Sequence, residues 1–202
     1  MYIDIRRLTP DLVDDYVCFF DVTPHDKGIK EQKCYCVCWA AVDSANQDFS
    51  SAAKRREAAI RYVESGAIQG YLAYLDGKVV AWCNANTRSS CLKCVSWRYF
   101  MDYVPLTKED EKLRIKSIFC FVVAPQMKRQ GIATMMVERV CLDAASENFD
   151  FVEAYPYLES GYQSSPFGGY SKMYERCGFQ KVISSGKGLV MRKKLSKLTA
   201  KE

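Results

Sequence analysis

The chain holds one histidine, His25, in 202 residues. A Ser-His-Asp hydrolase would have to draw its base from that single position, and an H-E-x-x-H metal site, which needs two histidines, is excluded. No G-x-x-x-x-G-K-[ST] run is present, so a P-loop nucleotide hydrolase is not indicated. No apolar run approaches the roughly 20 residues that cross a bilayer, and no membrane partner is expected. The opening Met1-Tyr-Ile-Asp-Ile-Arg-Arg carries an acid and is followed by no long apolar region, unlike a signal peptide. A cytoplasmic location is the expectation. Internal repeats and linkers rich in Pro or Gly are also missing. One domain over 1–202 is expected, with insertions near 23–49 and 87–112 and a basic tail at 193–202.

The excess of one sign of charge is small as well. The 29 basic and 24 acidic residues leave a net charge of +5. A groove for a polyanionic cofactor explains so mild an excess without a nucleic acid partner. Much of it lies in Arg192-Lys-Lys-Leu-Ser-Lys-Leu-Thr-Ala-Lys201, which reads first as a solvated tail and second as an interaction arm.

Cysteine, by contrast, is abundant, with ten residues. A disulfide scaffold belongs to small exported chains, and this chain fits neither description. Cys34, Cys36 and Cys38 alternate as they would along one face of a strand, and Cys91-Leu-Lys-Cys94 has C-x-x-C spacing. Zinc is the sharp reading of these two clusters. Reduced thiols acting as small hydrophobes are the bland one, and it is favoured because no histidine falls in either cluster. No metal site is therefore assigned.

With 49% apolar residues a packed core is easily supplied. Tyr2-Ile-Asp-Ile-Arg-Arg-Leu8 reads as a strand. Thr9-Pro10 then opens a helix striped with Leu12, Val13, Tyr16, Val17 and Phe20, with Thr9 as its cap. Ser50 or Ser51 caps a second helix that Gly66 ends. Two strands, 70–75 and 78–85, flank Asp76-Gly77, a strong hairpin signal. Residues 87–112 read as an inserted loop or short helix. A strand follows within 113–123, with Arg114 and Lys116 on its polar approach. Then come a helix over 132–145, a strand over 149–155, a loop over 156–169, a short helix around Tyr174, and a closing hairpin around Ser185-Gly-Lys187. Strand segments outnumber helices and the order is mixed, which fits an α/β sandwich with a largely antiparallel sheet.

The stretch with the most chemistry joins Ser117-Ile-Phe-Cys-Phe-Val-Val123 to the helix beginning near Ile132. Between them runs Gln126-Met-Lys-Arg-Gln-Gly131. The first amides of a helix lack intrahelical acceptors, and the dipole leaves that end partly positive. Gly131 lets a ligand approach the backbone, and Lys128 and Arg129 add full charges. The sum is a pocket for a phosphate or pyrophosphate.

Lys128-Arg129-Gln130-Gly131-Ile132-Ala133 resembles the acyl-coenzyme A loop of the GNAT superfamily of N-acetyltransferases, R/Q-x-x-G-x-G/A, with Lys in its first position. Tyr170-Ser-Lys-Met-Tyr-Glu-Arg-Cys-Gly-Phe179 is similar to the later family pattern L-Y-x-K-x-G-F. There Tyr174, Gly178 and Phe179 align, Met173 stands for Leu and Arg176 for Lys. Phe167 and Tyr170 stand where the family often has Asn and Ala. The resemblance covers roughly residues 70–192. It implies a GNAT-like mixed, largely antiparallel sheet flanked by helices on both faces, and direct transfer of an acetyl group from acetyl-coenzyme A to a primary amine.

The resemblance also implies roles. Phe121, Val122 and Val123 would pair with the pantetheine arm, a bulge near Val123 freeing an amide for the developing oxyanion. Lys128, Arg129, Gln130, Gly131, Ile132, Ala133 and Thr134 would cradle the diphosphate. Tyr174 would protonate the leaving thiolate, unless it is a core tyrosine bonded to backbone. Lysine-like amines keep their proton to about pH 10.4. Glu153 could accept it, directly or through water; an ordinary sheet residue is the equal alternative. The acceptor is expected to be a small-molecule amine, apolar or cationic, or else a peptide amine. Loops 23–49, 87–112 and 156–169 would line its site with Trp39, Trp97, Tyr99, Phe100, Tyr155, Tyr157 and Tyr162. The same aromatics would also serve a homodimer interface. A non-catalytic coenzyme A-binding sensor or docking module is the rival to an enzyme.

Overall fold

The computed structural model describes residues 2–23, 33–42, 47–104, 107–156, 167–184 and 188–196. Seven strands form one sheet: β1 (Asp4–Arg7), β2 (Gly70–Leu75), β3 (Lys78–Thr87), β4 (Ile115–Val123), β5 (Phe151–Ala154), β6 (Gln180–Ser184) and β7 (Leu189–Lys194), in the order β1-β2-β3-β4-β5-β7-β6. Every pairing is antiparallel except that of β4 with β5. The helices are α1 (Val13–Val22), α2 (Ala52–Glu64), α3 (Arg88–Cys91), α4 (Val95–Phe100), α5 (Lys108–Glu111), α6 (Ile132–Ser146) and α7 (Ser171–Arg176). None of the described helices is long and apolar enough to cross a membrane.

Helices cover both faces of the sheet, as consecutive residues of β3 demonstrate. Trp82 meets Tyr16 of α1, ring centroids 4.8 Å apart, while the Cys83 thiol lies within electrostatic reach of Cys141 of α6. Adjacent strand residues point to opposite faces, so α1 and α6 sandwich the sheet. Tyr16, Leu72, Trp82, Met136, Val140 and Tyr174 are all fully closed to solvent. Burying such a side chain contributes about 1.5–3 kcal/mol each.

Local signals explain several boundaries. Asp76 and Gly77 both take positive φ (49° and 75°), as the tight turn between β2 and β3 requires. Ser51 caps α2 by accepting from the Lys54 amide at 3.2 Å. Thr9 departs from expectation. It is extended but makes no side-chain cap bond, and Pro10 opens a single 3-10 turn (Pro10–Leu12) before α1 begins at Val13. The cysteine cluster departs further. Tyr35 and Cys36 have φ of 47° and 50°, and Val37–Trp39 is a 3-10 turn rather than a strand. Cys36 Sγ instead packs 3.8 Å from Cys120 Sγ and receives the Trp82 indole N–H at 3.2 Å. Among the described residues no three His, Cys, Asp or Glu side chains converge as metal ligands. His25, Tyr157, Tyr162 and residues 185–187 lie outside the described residues.

Two features of β4 position the site. First, its pairing with β3 runs Asn84↔Cys120 and then Ala85↔Ile118, leaving Phe119 as the extra residue of a bulge. The bulge expected near Val123 is therefore at Phe119, because Ala81, Trp82 and Cys83 hold residues 121–123 in unbroken register. Second, β5 pairs with β4 only from Ile115↔Phe151 to Ile118↔Ala154, while β4 continues to Val123. The sheet splits at the bulge, and the β4 edge from Phe119 onward faces a fissure.

The insertion at 87–112 is three short helices tied to the sheet by buried charge. Arg88 of α3 and Arg192 of β7 both reach Glu153 of β5 and Asp110 of α5. Lys116 is not on a polar approach. It is buried with its ammonium 4.9 Å from the centre of the Phe149 ring, and burial pushes its pKa down.

Candidate active site

The turn leaving β4 is built from local conformational choices. Pro125–Met127 forms a 3-10 turn, Arg129 takes φ 66°, and Gly131 (φ 82°) is the residue immediately before α6. Met127 and Ile132 are buried and fix the turn to the core, while Lys128, Arg129, Gln130 and Gly131 are exposed. The α6 N-terminus has no side-chain cap. Its first amides, at Ile132, Ala133 and Thr134, thus have no acceptor within the helix. A Cβ placed on Gly131 would meet nothing within 4 Å. Open space over a positive helix end, with two cations beside it, suits a diphosphate. Ile132 contributes its amide only, since its side chain is an anchor.

Phe121, Val122 and Val123 lead into that turn along the fissure. The Ala124 amide donates to Val80 of β3 at 2.9 Å. By strand alternation the amides of Val123 and Phe121 point the other way, into the fissure. Phe121 N–H meets the Phe167 carbonyl there at 2.7 Å. Tyr174 of α7 borders the same opening. It is fully buried and donates its hydroxyl to the Gly168 carbonyl at 2.8 Å. Burial pushes its pKa well above 10, which keeps the phenol a proton donor. The β4 residues, the basic turn and Tyr174 are thus brought together.

Glu153 is not with them. It is paired with Ser117, before the fissure opens, and is wholly buried. Its oxygens accept from Arg192 Nε at 2.5 Å, Arg88 Nη1 at 3.3 Å and the Tyr155 hydroxyl at 2.5 Å. A carboxylate enclosed by two guanidiniums and a phenol offers no open approach for an amine. Of the two readings of Glu153, this arrangement favours the sheet residue over the base. Burial alone would raise the nearby Asp110 carboxyl, but the Arg192 hydrogen bond and the charges of Arg192 and Arg88 hold it below the usual carboxylate value.

Sequence reasoning missed Arg88, Asp110 and Arg192, which come from three separate elements with no shared spacing. Of the aromatics expected at the acceptor site, Trp39, Trp97 and Tyr155 form a row beside the bulge with Phe119, the one ring of the row that sequence reasoning did not assign. Trp39 stacks on Phe119 at 5.2 Å, Phe119 stacks on Tyr155 at 5.6 Å, and Trp97 meets Tyr155 edge-on at 6.4 Å. Tyr155 also lies 3.1 Å from the Ser117 hydroxyl. A shallow groove of about 590 Å³ on the β1–β2 edge, lined by Tyr74 and the Asp4–Arg6 pair, is two strands away from β4 and takes no part.

The model of the acetyltransferase (GNAT) family matches residues 36–179. The chain belongs to that family. This GNAT protein is accordingly an acyltransferase, and its fold recurs among solved structures. The polyamine N-acetyltransferase of Drosophila melanogaster, which forms N-acetylagmatine, superposes with a TM-score of 0.56 at 12% identity, over 96% of this chain and 100% of that one. The PaiA N-acetyltransferase of Thermoplasma acidophilum, solved with coenzyme A, gives 0.52 at 13% identity, over 96% and 99%. A GNAT-family acetyltransferase of Streptococcus pneumoniae gives 0.52 at 13%, over 96% and 100%. No curated protein matches the chain in sequence.

Proposed function

We propose that the chain transfers an acetyl group from acetyl-coenzyme A to a primary amine of a small molecule. The observation that carries this is the exposed turn of Lys128, Arg129, Gln130 and Gly131, which feeds an uncapped helix at the mouth of the fissure between β4 and β5. Lys128 and Arg129, with the amides of Gly131, Ile132, Ala133 and Thr134, bind the diphosphate. The β4 edge at Phe121, Val122 and Val123 holds the pantetheine arm as an added strand and offers an amide to the oxyanion, a contribution of about 2.7–4 kcal/mol in comparable sites. The amine nitrogen attacks the thioester carbon, the C–S bond breaks, and Tyr174 gives its proton to the departing sulfur. Among the described residues no side chain is assigned to take the proton from the amine. It leaves to water, since Glu153 is closed off by its arginines. The rings of Trp39, Phe119, Tyr155 and Trp97 suit an apolar or cationic acceptor. The polyamine N-acetyltransferase from Drosophila, which shares the fold, acts on an amine of that kind.

The test is an acetyl-transfer screen of purified protein against a panel of amines, following release of free thiol. Amine-dependent thiol release supports the assignment. Tight coenzyme A binding with no release across polyamines, aromatic amines, aminoglycosides and peptides would favour a non-catalytic binding module instead.

A further inference from the structure

Two successive carbonyls already occupy two of the donors that face the fissure. Phe167 C=O accepts the Phe121 amide at 2.7 Å, and Gly168 C=O accepts the Tyr174 hydroxyl at 2.8 Å. The segment is wedged in place. A Cβ on Gly168 would stand 2.1 Å from the Tyr155 carbonyl oxygen at the end of β5. Gly169, with φ 78°, lies over both the Tyr174 and Phe121 rings, where a Cβ would be 3.6 and 3.8 Å from them. Residues 167–169 thus span from β4 to the end of β5, across the gap where the two strands part.

A backbone carbonyl is chemically close to what acyl transfer would put there. An amide N–H that donates to a thioester oxygen, and a phenol that protonates a sulfur, are both satisfied by an oxygen acceptor when no ligand is present. An open fissure would leave a buried N–H and a buried O–H unpaired, a state that folded proteins avoid. Exchanging one acceptor for another has a small net cost, so such an occupant can be displaced.

We infer that residues 167–169 are a built-in occupant of the thioester subsite, and that the acyl donor binds by displacing them. This rests on the proposed function, with the Phe121 amide, the first past the bulge to face the fissure, as the one offered to the thioester and Tyr174 as its acid. Gly168 is then the seating residue: any side chain there collides with Tyr155 and unseats the strap. The adenosine diphosphate end of the cofactor, held by the Lys128 turn, is outside its reach.

The experiment compares the full-length chain with Gly168→Ala by calorimetry, using acetyl-coenzyme A and adenosine 3′,5′-diphosphate. If the strap competes, the variant binds acetyl-coenzyme A about tenfold tighter, because the fraction of binding-competent molecules rises. It binds the nucleotide as wild type does. A folded variant that binds acetyl-coenzyme A equally or more weakly overturns the inference. Should the variant fail to fold, hydrogen exchange in the wild type decides. Saturating coenzyme A must speed exchange at 167–170 while slowing it at 121–123. Slower exchange in both segments also overturns the strap, while leaving the cofactor assignment intact. Absence of any coenzyme A binding by either protein sinks both.

Discussion

Arg192 Nε lies 2.5 Å from Glu153 Oε2, in a pair whose carboxylate is wholly closed to solvent. Removing one partner of such a pair leaves the other buried and uncompensated. Glu153→Gln should therefore lower unfolding free energy by about 3–5 kcal/mol in urea titrations. A general base would behave differently, losing turnover while the unfolding midpoint stayed put.

Tyr174→Phe removes one hydroxyl and little else from the core. Turnover should fall about 10²–10⁴-fold in thiol-release assays, while coenzyme A still binds. Equal turnover at all pH values would remove Tyr174 from the chemistry.

The pH dependence should be set by the acceptor. If the amine proton leaves to water, as proposed, kcat/KM should climb with pH toward the acceptor's own pKa, about 10.4 for a lysine-like amine. Burial holds the Tyr174 proton well above the usual 10, so Tyr174 imposes no decline below that value. A bell-shaped profile centred near neutrality would point to a base elsewhere.

Stability should fail on the alkaline side. Burial raises Tyr16, Tyr155 and Tyr174 well above 10, and raises Cys83 well above 9. For each, the folded state binds the proton more tightly than the unfolded chain. Their contribution is complete below the unfolded pKa and is lost as pH rises toward the folded one. Denaturant midpoints should be unaffected by these groups up to about pH 8, begin to fall at about 8.5–9 through Cys83, and fall steeply beyond about 10 through the tyrosines.

Lys128→Ala should weaken coenzyme A binding about tenfold at low salt. The loss should shrink as ionic strength rises, since the side chain is exposed and its charge is screened. Calorimetry at two salt concentrations measures both effects.

What the sequence revealed follows from what is local. The Asp76–Gly77 turn, the Ser51 cap, the helix over 132–145 and the basic loop each declare themselves within a few residues, and each is present. The Cys34, Cys36 and Cys38 alternation misled because period two was the only signal there. Tertiary packing of Cys36 against Trp82 and Cys120 imposed a turn with positive φ instead. Glu153 reads ambiguously for a related reason. Its neighbours in sequence are apolar, and the arginines that neutralise it lie 65 and 39 residues away. The bulge was misjudged by four residues because only the register against β3 fixes it.

On the proposed reading, the donor's cradle would come from one continuous piece of chain, Pro125 through the first turn of α6, whereas the acceptor side would draw on Trp39, Trp97, Phe119 and Tyr155. Those two halves can be altered separately. Redesign of acceptor preference should begin at the scattered rings, where a substitution can change what is acylated and leave the grip on the acyl carrier as it was.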